Sequence, residues 1–408
     1  MGALRGTTRV VAFVKILVLA RILLPAQFGL FGVGMLALSF LEIIFETGVN
    51  IFLIQESPEI DEFIDTAWSV SILRGLVIGL LLVVLAPVVS LFFKAPEAKG
   101  IIYLIALAPV IRGFVNPSAI KFQKELLFAR EFFYRFFMYG IDALVAILLS
   151  FKIHSAHCLV YGLIAGAFFE LVASHLIAKP KPRVRIELNK LREIVSRGKW
   201  VNLAGFFNYI FENFDDAVVV RLTETTSLGV YQMAYKIISL PVTEISDVIQ
   251  KVTFPVYTKI AGDKIRLKRA YLMSLGLTFF LVLPLGIIFL FFPEPLVMMV
   301  LGEKWLGAVP VIRILSFFGV LKALVEATQP LFLSLKKQKY VSLITFFTLI
   351  ILLAVTIPLV KSYGIVGAGA AALIVAASGI PLAVVFLRKV FWEKNEVYNH
   401  SIKGKRYS

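Results

Sequence analysis

A single cysteine, Cys158, stands in 408 residues, so no disulfide can close within the chain. Four histidines (His154, His157, His175 and His400) lack metal-ligand spacing and no CxxC motif occurs, which implies neither a metal nor a cofactor. Charge is also scarce. Asp, Glu, Lys and Arg make up 17% of the chain and hydrophobic residues 59%, with a mean hydropathy of +0.88. Soluble domains carry about 25% charge, so this composition belongs in a membrane. Enzymatic signatures are missing as well: there is no Ser-His-Asp set, no phosphate-cradling loop and no carboxylate pair in a wet loop. The run Gly364-Ile-Val-Gly-Ala-Gly superficially resembles a dinucleotide fingerprint. It opens an apolar span with no strand before it, so close helix packing explains it better.

What the chain has in abundance is long apolar runs. Twelve are long enough to cross a bilayer: residues 3–24, 28–54, 66–93, 100–120, 131–151, 157–178, 198–221, 227–256, 270–292, 307–335, 340–360 and 364–388. The first carries Arg5, Arg9, Lys15 and Arg21 and no small-x-small cleavage site, and so reads as a span rather than a cleaved leader. Prolines 241, 255 and 284 fall inside spans eight and nine and predict kinks. The pattern predicts an all-α polytopic protein with a six-helix lobe at 1–178, a basic linker at 179–196, a second six-helix lobe at 197–390 and a tail at 391–408. A weak repeat agrees: Ala20-Arg21-Ile22 and Phe28-Gly29-Leu30-Phe31 match Val220-Arg221-Leu222 and Leu228-Gly229-Val230-Tyr231, 200 positions on. Such duplications often hold a substrate between two halves.

The formal net charge of +16 is distributed in a way that argues against nucleic acid as a partner. With the N-terminus in the cytoplasm, and with Arg5, Arg9, Lys199 and Arg388 at span ends counted with the adjoining loops and tails, 27 Lys and Arg fall on that side and 5 on the other, which predicts both termini inside. The acidic loop Gln55–Asp65 dissents, but acidic residues weigh little in this rule. The linker, with Lys179, Lys181, Arg183 and Arg185, is expected against anionic lipid headgroups. Outside loops are short, which leaves no room there for a catalytic domain.

Charges inside the spans cost roughly 2.5–3.5 kcal/mol each on insertion scales and need a partner or a wet cavity. Four clusters stand out by helical spacing: Glu42 and Glu46; Asn208, Glu212, Asp215 and Asp216; Lys236, Ser239, Thr243, Asp247 and Gln250; and Lys322, Glu326 and Gln329. Each is open to three readings: an ion pair locking helices together, a hydrated substrate cavity, or snorkelling toward the interface. The last suits Arg21, Arg135, Arg221 and Lys251, near span ends.

Several stretches carry a resemblance. Leu19-Ala-Arg-Ile-Leu-Leu-Pro-Ala-Gln-Phe-Gly-Leu30, Glu46–Gln55, Asn213-Phe-Asp-Asp with Leu228–Lys236, Phe254-Pro-Val-Tyr with Arg269-Ala-Tyr, and Leu301-Gly-Glu-Lys-Trp-Leu occur in the order found in prokaryotic polysaccharide exporters. The chain resembles these oligosaccharide-lipid flippases of the multidrug/oligosaccharidyl-lipid/polysaccharide exporter superfamily over nearly its whole length, although longer members often have fourteen spans. The resemblance implies two bundles of six helices facing a central cavity and rocking to alternate access. It implies a plasma-membrane transporter, not an enzyme, with a polyprenyl diphosphate glycan as substrate. Lys236 and Lys322 would contact the diphosphate, with Arg21, Arg74 and Arg112 as further candidates. Asp215, Asp216, Asp247 and Glu212 would bind H⁺ or Na⁺. Membrane lipids, and a glycan polymerase or glycosyltransferases, are the other expected partners. Two alternatives stay open: a cation-coupled multidrug exporter or peptidoglycan-precursor flippase of the same superfamily, and a non-transporting scaffold. The interior cations disfavour cationic drugs.

Overall fold

The computed structural model describes residues 2–49, 53 and 60–392. The acidic stretch 55–59 and the tail from 393 lie outside the described residues. Among the described residues every regular element is helical. The long helices are α1 (Gly2–Ile22), α2 (Pro25–Ile44), α3 (Ile60–Phe92), α4 (Ala98–Gly113, offset at Ala106), α5 (Phe128–Ile153), α6 (His157–Ile177), α7 (Leu188–Leu222), α8 (Thr225–Ile260), α9 (Lys264–Phe291), α10 (Val309–Glu326) and α11 (Gln338–Trp392).

Seven stretches pass as membrane-spanning by length and apolar composition, or eight when α4 and the bent segment Pro117–Lys124 count as one span. The 55 residues of α11 would reach about 80 Å if straight, and Gly364 (φ 57°, ψ −135°) breaks them into two crossings. α1, α7 and α8 are also long enough, at 21, 35 and 36 residues, but are diluted by polar and charged side chains. Taken together these give twelve crossings. Large apolar side chains such as Leu80, Val84 and Leu91 of α3 and Met273 and Phe280 of α9 lie exposed, as a lipid-facing exterior requires. Pro241, Pro255 and Pro284 sit inside helices that run on past them.

The fourth span, expected to run unbroken over 100–120, instead turns by 75° after Gly113. The cause is local. Asn116, fully buried, accepts from the Ser118 amide and caps the short 3₁₀ turn Pro117–Ile120, while proline follows at its first position. The Asn116 amide also donates to the carbonyls of Ala178 (3.4 Å) and Pro180 (3.2 Å), tying down the start of the linker. Onward, the linker backbone lies along the first turns of α3. The Arg183 amide donates to Asp65 Oδ1 (2.8 Å), the Arg185 amide to Ser69 Oγ (2.9 Å), and the Lys190 ammonium to the Glu62 carbonyl (2.9 Å). The Lys190 ammonium also donates to Glu187 and holds that exposed carboxyl below its usual range. The Arg183 and Arg185 side chains remain exposed. Asn116→Ala strands several buried groups at once. It is expected to destabilise the protein by about 2 kcal/mol, read as a lower thermal midpoint in detergent; an unchanged midpoint would count against this network.

The chain divides into two compact units: residues 1–232 with 294–308, and 233–293 with 309–408. In the first unit α2 and the start of α8 cross backbone to backbone. A Cβ on Gly29 would stand 1.7 Å from the Thr225 carbonyl oxygen, and one on Gly229 would stand 2.0 Å from that of Pro25. Adding 200 to one partner's number and subtracting it from the other's turns either contact into the other. Beside the same crossing Trp305, fully buried, donates from its indole to the Ala20 carbonyl of α1 (2.8 Å) and packs edge-on against Phe28 at 5.3 Å. Arg21 donates to the carbonyls of Met299 and Val300, which close the short helix Pro293–Val300.

Candidate functional site

Five helices of the first unit bring charge into one cavity of about 460 Å³, lined chiefly by Glu42, Arg74, Arg112, Glu131, Arg135 and Glu170. Two of these arginines are set by neighbouring glycines. A Cβ on Gly75 would fall 2.4 Å from the Pro109 carbonyl and 3.0 Å from the Gly113 Cα, so α3 and α4 touch backbone to backbone and Arg74 and Arg112 enter side by side. Glu42 and Glu46, one turn apart on α2, meet Arg74: its Nη2 donates to Glu46 Oε2 (3.0 Å) and to the Glu42 carbonyl (2.9 Å). Its buried Nε has no hydrogen-bond partner.

Arg112 stands between two carboxylates, 3.9 Å from Glu42 and 3.8 Å from Glu170. These separations exceed hydrogen-bond length, so attraction holds the guanidinium in place while its N–H groups stay uncommitted. It makes no hydrogen bond among the described residues and is 39% exposed. Opposite, Arg135 donates to Glu131, which also accepts from Gln123 Nε2 (2.8 Å) and is only 4% exposed. Tyr134 reaches from its hydroxyl to the Glu170 carbonyl (3.3 Å). Three guanidinium groups thus face three carboxylates, an arrangement able to receive a ligand that is both anionic and rich in hydroxyls.

The other sequence-predicted residues lie elsewhere. Arg21 is spent on helix-end carbonyls, as above. Asp215 accepts from the Tyr231 hydroxyl (2.6 Å) and Asp216 from Gln232 Nε2 (2.7 Å), which joins α7 to α8; Glu212 is exposed. In the second unit Lys322 lies 3.9 Å from Glu326 and over the rings of Tyr235 (5.9 Å) and Phe318 (5.6 Å). Lys236 is exposed on α8 and Asp247 half-buried on it. Lys15 and Asp142 pair at 2.6 Å and join α1 to α5, a helix-locking ion pair. Arg135, expected to snorkel to the interface, turns inward instead because Glu131 waits one turn before it. Glu131 was not among the expected interior charges; the Glu131–Arg135 spacing was the signal that marks it.

A family model described as polysaccharide biosynthesis protein matches residues 18–310. The chain belongs to this family. Relatives bear similar descriptions. A membrane protein from the cps region of Klebsiella pneumoniae is 24% identical over 94% of this chain and 80% of its own length. The lipopolysaccharide biosynthesis protein WzxC of Escherichia coli is 23% identical over 76% of this chain, and the succinoglycan biosynthesis transport protein ExoT of Rhizobium meliloti 22% identical over 74%. The chain spans 63% of the former's length and 62% of the latter's. Among solved structures, the fold matches the lipid II flippase MurJ (TM-score 0.74, 15% identical, 95% of this chain and 88% of that one). It also matches an inward-facing MATE family multidrug transporter of the MOP superfamily (TM-score 0.71, 14% identical, 96% and 95%). This member of the polysaccharide biosynthesis family is therefore a membrane protein, helical throughout its regular elements among the described residues, whose fold matches that of these two structures.

Proposed function

We propose that the protein is a flippase that carries lipid-diphosphate-linked oligosaccharides from the cytoplasmic to the outer leaflet of the plasma membrane. The translocated glycan would then enter surface polysaccharide assembly, with a polymerase or glycosyltransferases as neighbours. The observation that carries this reading is the uncommitted donor capacity of Arg112 and of Arg74 Nε inside a charge-balanced cavity. Planar guanidinium groups suit a diphosphate, and the carboxylates of Glu42 and Glu170 offer acceptors for sugar hydroxyls. The family match and the structural likeness to the lipid II flippase MurJ support the same reading.

Alternating access would proceed by rocking of lobes 1–178 and 197–390, with both termini in the cytoplasm as the loop charges favour. The reciprocal contacts of Gly29 and Gly229 support a duplication behind the two lobes. Lys236, Lys322 and Arg21 are proposed as further diphosphate contacts. Asp215, Asp216, Asp247 and Glu212 are proposed to take up H⁺ or Na⁺; protonating Asp215 would weaken the bond it accepts from Tyr231. In proteoliposomes holding a fluorescent polyprenyl diphosphate oligosaccharide, translocation is expected to outpace that in empty vesicles and to respond to an imposed H⁺ or Na⁺ gradient. No movement of several glycans by folded protein would favour the multidrug exporter or the scaffold instead.

A further inference from the structure

A second concavity, of about 850 Å³, opens between α5 and α6 where the two helices meet the linker. Its two ends differ in chemistry. Lys121, Arg130 and Lys179 gather where α5 begins and α6 ends, with Glu125 the one acidic residue lining it. Away from them the wall is apolar: Phe133 and Phe137, one and two turns into α5, face Phe169, Val172 and Leu176 of α6. Phe133 is 56% exposed and Leu176 74%. From Arg130 to Phe137 the helix rises about 10 Å.

We infer that this groove binds one phospholipid with an anionic headgroup, phosphate on the basic end and an acyl chain along the aromatic wall. Lys121 already pairs with Asp61, but Arg130 and Lys179 make no ion pair among the described residues, and both are exposed. The basic end lies on the side with the excess of Lys and Arg in its loops, where anionic headgroups attract cations most strongly. The apolar wall belongs to the lipid-facing exterior, which has no water to support a polar occupant. Occupancy would also touch the cavity. Tyr134 lines both spaces, with its ring edge-on to Phe122 at 6.0 Å and its hydroxyl on the Glu170 carbonyl. A bound acyl chain would brace that ring from outside.

The test is native mass spectrometry of the purified full chain with phosphatidylglycerol, phosphatidylethanolamine or phosphatidylcholine of matched acyl chains. Phosphatidylglycerol adducts are expected to exceed phosphatidylcholine adducts about tenfold, the effect of a single charge-assisted contact worth about 1.4 kcal/mol. Arg130→Ala with Lys179→Ala is expected to erase that preference. Lys181→Ala with Arg183→Ala, an equal loss of exposed charge on the linker but outside the groove, is expected to keep it. Val172→Trp, which fills the apolar wall and leaves the cations in place, is expected to lower adducts of phosphatidylglycerol about tenfold. Equal binding of all three lipids by the wild type, or a preference that survives the Arg130 and Lys179 changes, overturns the inference. A preference for phosphatidylethanolamine overturns the anionic assignment and makes Glu125 the partner of an ammonium headgroup.

Discussion

Alanine at Gly29 is expected to lower the thermal midpoint by about 5 °C or more and to cut the yield of folded protein, with Gly229→Ala doing the same. Two effects oppose each other. Alanine stabilises a helix interior by about 1 kcal/mol relative to glycine. Against that, its Cβ at position 29 would stand 1.7 Å from the carbonyl oxygen of Thr225, part of the backbone of α8, which no rotamer change can move aside. The helices must separate, and overpacking of this kind costs about 3 kcal/mol or more. Gly32→Ala is the control. Its nearest neighbour is the Gln232 side-chain oxygen at 2.8 Å, whose displacement strains the bond to Asp216 but leaves the backbone in place, so the expected loss is about 1 kcal/mol. If Gly29→Ala and Gly32→Ala behave alike, the crossing is not as close as described.

The second large effect concerns Arg112. Replacing it with Gln is expected to slow translocation by about 10- to 100-fold while the protein still inserts, since a charge-assisted contact to phosphate is worth about 1.5–3 kcal/mol. Removing the cation also leaves Glu42 and Glu170 facing each other without a counter-charge, and loss of rate could follow from that alone. Glu42→Gln combined with Arg112→Gln separates the causes because it restores the local balance. Transport that stays low in the double variant identifies Arg112 as a ligand-binding group; transport that returns makes it a structural counter-ion. Arg112→Lys keeps the charge but not the planar fork, and is expected to fall between.

The helical membrane fold was legible because long apolar runs are a property of local sequence. The places where the expectation failed are those decided by contacts remote in the chain. The turn after Gly113 depends on Asn116 reaching the carbonyls of Ala178 and Pro180, more than sixty residues away. Likewise, Glu42 and Glu46 announced themselves by spacing, but nothing local says that Arg74 and Arg112 would enter the same cavity. That follows from Gly75 and Gly113, whose missing side chains let α3 and α4 touch. Arg135 was misplaced for a related reason: position near a span end suggested the interface, whereas the buried Glu131 offered a nearer partner.

Trp305 sets a timetable. Its indole completes the packing around Ala20 and Phe28, yet 285 residues of chain separate it from Ala20. At a synthesis rate of about 5–20 residues per second, the nascent first unit waits roughly 15–60 s between insertion of α1 and arrival of this plug. During that interval the corner between α1 and α2 stands open, and Arg21 has no carbonyls to bind. The first unit thus begins first but cannot close until residues 233–293 of the second have been made, and a ribosome that stalls before residue 305 leaves behind a half-closed bundle suited to capture by quality-control proteases.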